Sequence, residues 1–479
     1  MFQITRNQAR EIRAVFKRLL CGHSRRTDPA IQFEAGPSGL TIRACAFAGA
    51  IQFHTAGELP DTNFSVPLST LEACEGKDDS PVKFDVASKK TVSMNWEVGR
   101  IPRCQTVNLT AEKALEFPPM PATLVANSPG LLTALQHASQ NVANDNTRYI
   151  LDHLQLDGPK GRIAATDGHH ALLQTGFDFP WQDAVLIPAS GVYASPEFPR
   201  NEPIGVARTE KWLSLSVGPW LIHLPIDKDG NYPKVDAIIP KSEKIVSRLQ
   251  IADADARFLQ DAIPRLPGDE DQHHPVTLDL NGEVIVRATA SDQPKPTELV
   301  LTNSRLIGEP VKISVNREFL ARAMKLGFRE IGLINEQSIV TFDDGRRKYL
   351  VMPRESDKNA KRVTDAVRIE SGTIGAGPPT QRLRVSPSTS NNEDTMPKPK
   401  NQQESPAEAK NGSTVVPHDE SQDSHGAGPI GAAIELRTSL RSALTGVNTL
   451  IASLRRNKRQ QRLVQSTLQS LKDLQKIAG

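Results

Sequence analysis

The sequence predicts an α+β fold of three repeated modules, each with two short helices packed on β-sheet. A disordered linker and a C-terminal helical segment follow. Two observations predict the repeat and a third marks its end. An amphipathic helix followed by two extended runs and a glycine-bearing turn recurs at a spacing of about 120 residues. In each copy a further strand then leads into a second short helix. After Arg354 the composition shifts to Pro, Ser, Asn, Gln, Glu and Lys.

The first helix of each copy is expected at 7–20, 129–142 and 255–266. The paired strands are expected at 31–34 with 40–43, 154–156 with 162–165, and 276–279 with 284–287. The strand-to-helix segments are 66–73, 187–192 and 313–320, and each copy closes with another strand pair. Module boundaries therefore fall at 1–122, 123–248 and 249–354. A repeated α+β unit of this kind lines one helical face along a continuous curved sheet. Residues 355–430 hold too little apolar surface to offset their ordering entropy and read as a disordered linker. Helical spacing returns at Leu436, Leu440, Ala443, Val447, Leu450 and Leu454. A basic interval at 455–462 follows, and the spacing resumes at Val464, Leu468, Leu471 and Leu474. An amphipathic helix or helical hairpin over 431–479 fits, either self-packed or seated on another chain. Contact of its basic interval with nucleic acid is the alternative.

The 479 residues give room for about three ordinary domains. With 58 Lys+Arg against 55 Asp+Glu, net charge is only +3, so any nucleic-acid role must come from where the charges lie. The cysteines, Cys21, Cys45, Cys74 and Cys104, form no CxxC pair, which argues against zinc and for a reducing compartment. Residues 1–6 lack an apolar signal core, and no run nears the roughly 18 apolar residues of a membrane span. A soluble, cytoplasmic protein with no membrane partner and no cofactor is expected.

The first helix carries the clearest charge pattern. Thr5 and Gln8 form a capping-box signature, and Ile12, Phe16 and Leu19 mark a buried face. Arg6, Arg10, Arg13 and Lys17 share the other face at spacings that suit phosphate contact without base reading, or a plain solvated surface. Arg148-Tyr149 sets a cation beside an aromatic ring at a strand start, as a backbone contact or a structural edge.

The run Ile163-Ala-Ala-Thr-Asp-Gly-His-His-Ala-Leu-Leu173 is a strand that breaks at Asp167-Gly168 and resumes. Asp167, His169 and His170 suggest either proton transfer or a strand corner at the lip of a pocket. Acid–base work needs a nucleophile, a metal or an oxyanion site. No GxSxG, Walker A, HExxH or dinucleotide signature occurs. His273-His274 sits in a polar loop, and Asp343-Asp344-Gly345 reads as a hairpin turn. The corner reading is therefore preferred to a hydrolase using Asp167 and His169.

Four ordered blocks resemble a known family. Thr166-Asp-Gly-His-His is followed by Leu186-Ile-Pro-Ala-Ser-Gly-Val, then Asn231-Tyr-Pro-Lys-Val-Asp-Ala-Ile-Ile-Pro240, then Tyr349-Leu-Val-Met-Pro353. Their order, spacing and threefold repeat are similar to the bacterial DNA sliding clamp, the β subunit of DNA polymerase III, over residues 1–354. The tail lies outside the resemblance, so a diverged paralogue with a C-terminal extension is one reading. The resemblance implies a non-catalytic processivity factor, with two protomers closed head to tail into a homodimeric ring around duplex DNA. The first and third modules would meet at the ring interface. Its partners would be the polymerase III catalytic subunit, the clamp loader and other clamp-motif proteins.

The same resemblance places backbone contacts to DNA at Arg25, Arg26, Arg148 and Tyr149, beside Arg10, Arg13 and Lys17 of the first helix. It implies a client-peptide pocket at Leu151, Thr166, Gly168, His169, His170, Ala171, Pro233, Ala237, Ile238, Leu350, Met352 and Pro353. Aliphatic side chains and a methionine there would receive a peptide's Leu or Phe. The family commonly has Arg at His170, Leu at Ala171 and a basic residue at Ala237, so a wider, less cationic pocket is expected. Residues Ala44-Cys-Ala-Phe-Ala-Gly-Ala replace an acidic strand, and Pro264 and Pro267 interrupt the third module. The alternative to a ring is a non-encircling scaffold that binds client peptides and recruits or oligomerises partners through its C-terminal helices. A tail leaving beside Met352-Pro353 is expected to compete with clients or to display recruited ones.

Overall fold

The first helix, α1 (Arg6–Leu20), starts at the expected capping box. The Gln8 N–H donates to Thr5 Oγ1 at 3.0 Å, and the Thr5 N–H donates to Gln8 Oε1 at 2.9 Å. Ile12, Phe16 and Leu19 are buried as the spacing requires, together with Ala9, Val15 and Leu20. This computed structural model describes residues 1–21, 28–110, 116–143, 149–268, 274–354 and 365–372, all within one unit spanning Met1–Arg384. The remaining helices are α2 (Thr70–Cys74), α3 (Gly130–Ser139), α4 (Asp253–Ala262) and α5 (Arg317–Lys325).

Four sheets organise the described residues. The first runs Phe2–Thr5, Pro81–Ser88, Thr91–Val98, Ile101–Asn108. The second has eight strands, from Thr62–Pro67 at one edge to Val125–Asn127 at the other. At its seam, Gly49–Thr55 pairs with Trp220–Pro225, with Ile51 opposite Ile222. The third has nine strands and joins chain segments far apart in sequence through His170–Thr175 against Arg347–Val351. The fourth runs Lys312–Asn316, Pro275–Asp279, Ile285–Ala288, Thr297–Val300, Val367–Glu370. A set of stacked rings, Phe2, Phe33, Phe64 and Phe84, ties the first sheet to the second, with neighbouring centroids 5.1–5.9 Å apart. Continuing the second and third sheets across their seams leaves fewer open edges than separate sheets would expose.

The paired runs fold as antiparallel hairpins close to the expected positions. The differences have local causes. Helix α4 stops at Ala262 and tightens into a 3-10 turn, Ile263–Arg265, because Pro264 has no N–H to continue the ladder. After Ala184–Pro188 the expected second helix is only a 3-10 turn, Gly191–Ala194, capped by Ser190 and followed by Ser195-Pro196, where the proline disfavours helix at the residue before it. The largest difference is in the expected linker. Val367–Glu370 is a strand, and it makes the one parallel pairing among the described strands, against Thr297–Val300. Its Val-Arg-Ile-Glu alternation suits a strand, and Arg368 finds Glu283 and Glu298 on the sheet it joins. The rest of the expected linker, and the helices expected over 431–479, lie outside the described residues. Among the described residues no helix is long and apolar enough to cross a membrane.

Candidate functional site

The Thr166–His170 corner is built by its own side chains. Gly168 turns the chain at φ +90°, in the left-handed region that favours glycine. Thr166 Oγ1 accepts from the Gly168 N–H at 3.0 Å and donates to the His170 carbonyl at 2.6 Å. Asp167 Oδ1 accepts from the N–H groups of His169 and His170 at 2.8 and 2.9 Å. Burial pushes the Asp167 pKa up, but His170 and the two N–H donors outweigh it and hold the carboxyl below the usual range. These bonds give Asp167 and Thr166 turn-closing roles, in line with the corner reading.

The sheet seam then brings the distant blocks together. Ala171 lies opposite both Thr166 and Leu350, and His170 lies opposite Val351. The Met352 N–H donates to the His169 carbonyl at 3.0 Å. Beneath them Ala164, Ala171, Leu173, Leu186, Tyr232, Val235 and Leu350 form a separate small core, with Ile239 packed against it. Tyr232 anchors the 231–240 block there by donating from its hydroxyl to the Ala164 carbonyl at 3.1 Å. The twelve expected pocket positions thus divide. Thr166, His170, Ala171 and Leu350 are buried. Gly168, His169, Ala237, Ile238 and Met352 are exposed, with Leu151, Pro233 and Pro353 half-buried. Leu151 lies beside the corner, its Cδ1 3.8 Å from where a Cβ on Gly168 would stand. Ile238 and Met352 are both 42 % exposed, a level at which a methionine and an isoleucine offer apolar contact to a visitor.

A shallow cavity of about 360 Å³ lies along Gln155, Asp157 and the Tyr232–Ala237 segment, so Pro233 and Ala237 line it. Its wall is charged. Asp236 accepts from both Arg162, itself buried, and Lys160 at 2.7 Å. The Arg162 hydrogen bond, helped by Lys160, holds the Asp236 carboxyl well below the usual range. Asp157 and Arg162 face each other across their hairpin, an opposite-charge pairing that the sequence contains. Nothing in the sequence points to Asp236, which arrives from a later 3-10 turn, Val235–Ile238.

His170 does not face outward. Its ring centroid lies 4.2 Å from that of Phe319, the planes tilted by 47°, and Nε2 lies 3.3 Å from Arg322 Nη1, both on α5. Burial lowers its pKa first, Asp167 opposes, and Arg322 lowers it further, so the imidazole is neutral near pH 7. Arg322 thus sets a cation beside position 170.

The candidate DNA-contacting residues also divide. Arg10 and Lys17 are exposed on α1, Arg10 donating to Asn7 Oδ1 at 2.7 Å. Arg13 is engaged by Glu72 and, at 3.1 Å, by Glu75, and Arg6 by Asp78 at 2.6 Å. These pairs fasten α1 to α2 and the loop after it. Tyr149 is half-buried. Arg25, Arg26 and Arg148 lie outside the described residues.

Shared sheets with a few short helices define the class of fold found in bacterial sliding clamps. The structure matches the crystal structure of the DNA polymerase III subunit beta from Pseudomonas aeruginosa with a TM-score of 0.61 at 18% identity, covering 74% of this chain and 99% of that one. It matches the beta chain from Streptococcus pneumoniae with a TM-score of 0.61 at 15% identity, and a putative beta subunit from Eubacterium rectale with 0.60 at 14%, each with the same coverage. No protein-family profile matches the sequence, and no curated protein matches it.

Proposed function

We propose that the chain is a sliding-clamp protein: a non-catalytic processivity factor that holds duplex DNA within a head-to-tail homodimeric ring. Three modules, 1–122, 123–248 and 249–354, would each give one pair of helical segments to the ring. A pocket on the third sheet would tether a replicative polymerase, a clamp loader and other clients by short peptides. The observation that carries this reading is the seam pairing Ala171 with Leu350, which sets the Thr166 corner beside Met352-Pro353 above the Tyr232 anchor. The pocket would read apolar peptide side chains through Ile238, Met352 and Pro353, with Arg322 as the nearby cation. Sliding requires that contacts to phosphate be weak and exchangeable, and two exposed cations on α1 meet that condition better than a continuous basic stripe would.

Retention on DNA tests it. Protein loaded on a nicked circle is expected to stay, and to be lost when the circle is cut once. Equal loss from circles and linear DNA would overturn encirclement.

A second reading, the non-encircling scaffold, draws support from the strand Val367–Glu370, which occupies an edge of the fourth sheet. A chain that stays monomeric at micromolar concentration and still binds a clamp-motif peptide would favour it.

A further inference from the structure

The strand Val367–Glu370 covers the outer edge of Thr297–Val300, and its hold is mainly polar. Arg368 pairs with Glu283 at 2.8 Å and Glu298 at 3.3 Å. The Ser371 N–H donates to the Val300 carbonyl at 3.0 Å, and Asn303 Nδ2 donates to the Gly372 carbonyl at 2.9 Å. Apolar burial adds little, since all four strand residues are exposed, Val367 by 42 % and Ile369 by 44 %. Exposed ion pairs contribute about 0–1 kcal/mol each, so a short strand held this way can be displaced by another of matching chemistry.

The edge beneath it sets what that chemistry must be. The Glu298 side chain is 1 % exposed and accepts from Arg287 Nε at 2.8 Å, while the same guanidinium serves Asp279 at 2.9 Å. Two buried carboxylates thus share one buried cation. A strand that covers the edge and brings a second cation is favoured there, and Arg368 does so.

A strand with that property lies elsewhere in the chain. Among the described residues Ile101–Asn108 is the open edge of the first sheet, and its first six residues are exposed. It carries Arg103, and Arg100 stands in the turn before it; neither pairs with a carboxylate of the described residues. Open edges of this kind pair with other strands unless they are covered.

We propose that Val367–Glu370 is an in-chain stand-in for a second copy of this chain. It occupies the edge of Thr297–Val300 that the Ile101–Asn108 strand of another copy would take, with Arg368 in the place of Arg103. Self-association through this edge requires its release. The proposal rests on the ring reading for the head-to-tail order of the two edges.

Two variants of the full chain test it, both in a Cys104→Ser background that serves as the reference. Arg368→Glu sets an acid against Glu283 and Glu298 and releases the strand. Thr297→Cys/Val367→Cys joins two residues in register and locks the strand under oxidation. Sedimentation equilibrium is expected to show dimerisation about tenfold tighter in Arg368→Glu, as the competent fraction rises. The oxidised lock is expected to abolish dimerisation, and reduction to restore it. Arg103→Glu is expected to weaken dimerisation of Arg368→Glu. Dimerisation indifferent to both release and lock would overturn the proposal, as would a released edge, seen by hydrogen exchange at 297–300, in a chain that stays monomeric. Retention on circular DNA reads the ring separately. A chain retained on circles with the lock closed overturns the stand-in alone. One that dimerises on release yet slips from circles overturns the ring alone.

Discussion

Arg322 Nη1 lies 3.3 Å from His170 Nε2 and donates to the Gln140 carbonyl at 2.8 Å. One guanidinium on α5 therefore closes the C-terminus of α3 and braces the Thr166–His170 corner. A neutral imidazole is the right partner, because its Nε2 can accept from the cation while Nδ1 faces Asp167 at 2.9 Å. His170→Arg would bury a second cation against Arg322, in a position 4 % exposed. The expected loss is about 2–4 kcal/mol of unfolding free energy, from desolvation and repulsion together. Adding Arg322→Gln should recover part of it in a double-mutant cycle measured by urea unfolding. Strictly additive effects would show that the two side chains do not act on each other.

Acid should weaken the fold through its buried histidines. Burial pushes the His223 pKa down from 6.5 to about 4, and its Nδ1 lies 2.8 Å from Ser214 Oγ within the second sheet. The folded chain keeps this ring neutral, whereas the unfolded chain binds a proton below 6.5. Stability is thus whole above pH 6.5 and falls as pH drops toward about 4, by at most about 3 kcal/mol from this residue. His170 acts in the same direction. Melting temperatures read from pH 7.5 to 4.5 should fall, and the fall should be shallower in His223→Gln. An identical slope in the variant would remove His223 from the account.

Gly168→Ala tests backbone strain apart from crowding. At φ +90° an L-residue is strained, while the nearest side-chain atom would stand 3.8 Å from the new Cβ, an ordinary contact. The cost should be about 1–2 kcal/mol, with the hairpin register kept by the Thr166 and Asp167 bonds. A neutral effect in chemical denaturation would mean that the corner relaxes.

Asp236 should matter more for stability than its exposure suggests. Asp236→Ala leaves Arg162, whose side chain is 7 % exposed, with Asp157 at 3.5 Å as its remaining carboxylate. The expected cost is about 1–3 kcal/mol, moderated because the Asp236 side chain is 49 % exposed. Since folding lowers the Asp236 pKa, this contribution is present above about 3.8 and is lost as pH falls below it. Unfolding free energies of the variant and the parent at pH 7, read by urea denaturation, would differ by that amount, or the cluster is ornamental.

Local rules made the helices and hairpins legible. The Thr5–Gln8 box, the α1 stripe, the Asp343-Asp344-Gly345 turn and the Asp167-Gly168 corner are decided by residues within a few positions of one another. Long-range pairing was not legible in this way. Nothing near His170 announces that Arg322 and Phe319 will cover it, and so its side chain faces inward where rim exposure was expected. Val367–Glu370 was hidden for a related reason. Four alternating residues in a polar segment are too short a signal, and their partners are Glu298 on the neighbouring strand and Glu283 in the turn before Ile285–Ala288.

The same limit applied to the basic face of α1. Its spacing was readable, but Glu72, Glu75 and Asp78, which engage Arg13 and Arg6, come from the helix and loop packed beside it. This division makes the last prediction. Arg10→Ala and Lys17→Ala should each weaken binding to duplex DNA of any sequence, and each should reduce the slope of log affinity against log salt by about one. Arg13→Ala should instead lower the melting temperature and leave that slope unchanged, because its guanidinium is committed to α2. Fluorescence anisotropy over a salt series, with thermal unfolding of the same samples, separates the two roles. A salt slope that falls in Arg13→Ala as far as in Lys17→Ala would return Arg13 to the DNA-facing set and leave Glu72 and Glu75 as pairs that DNA replaces.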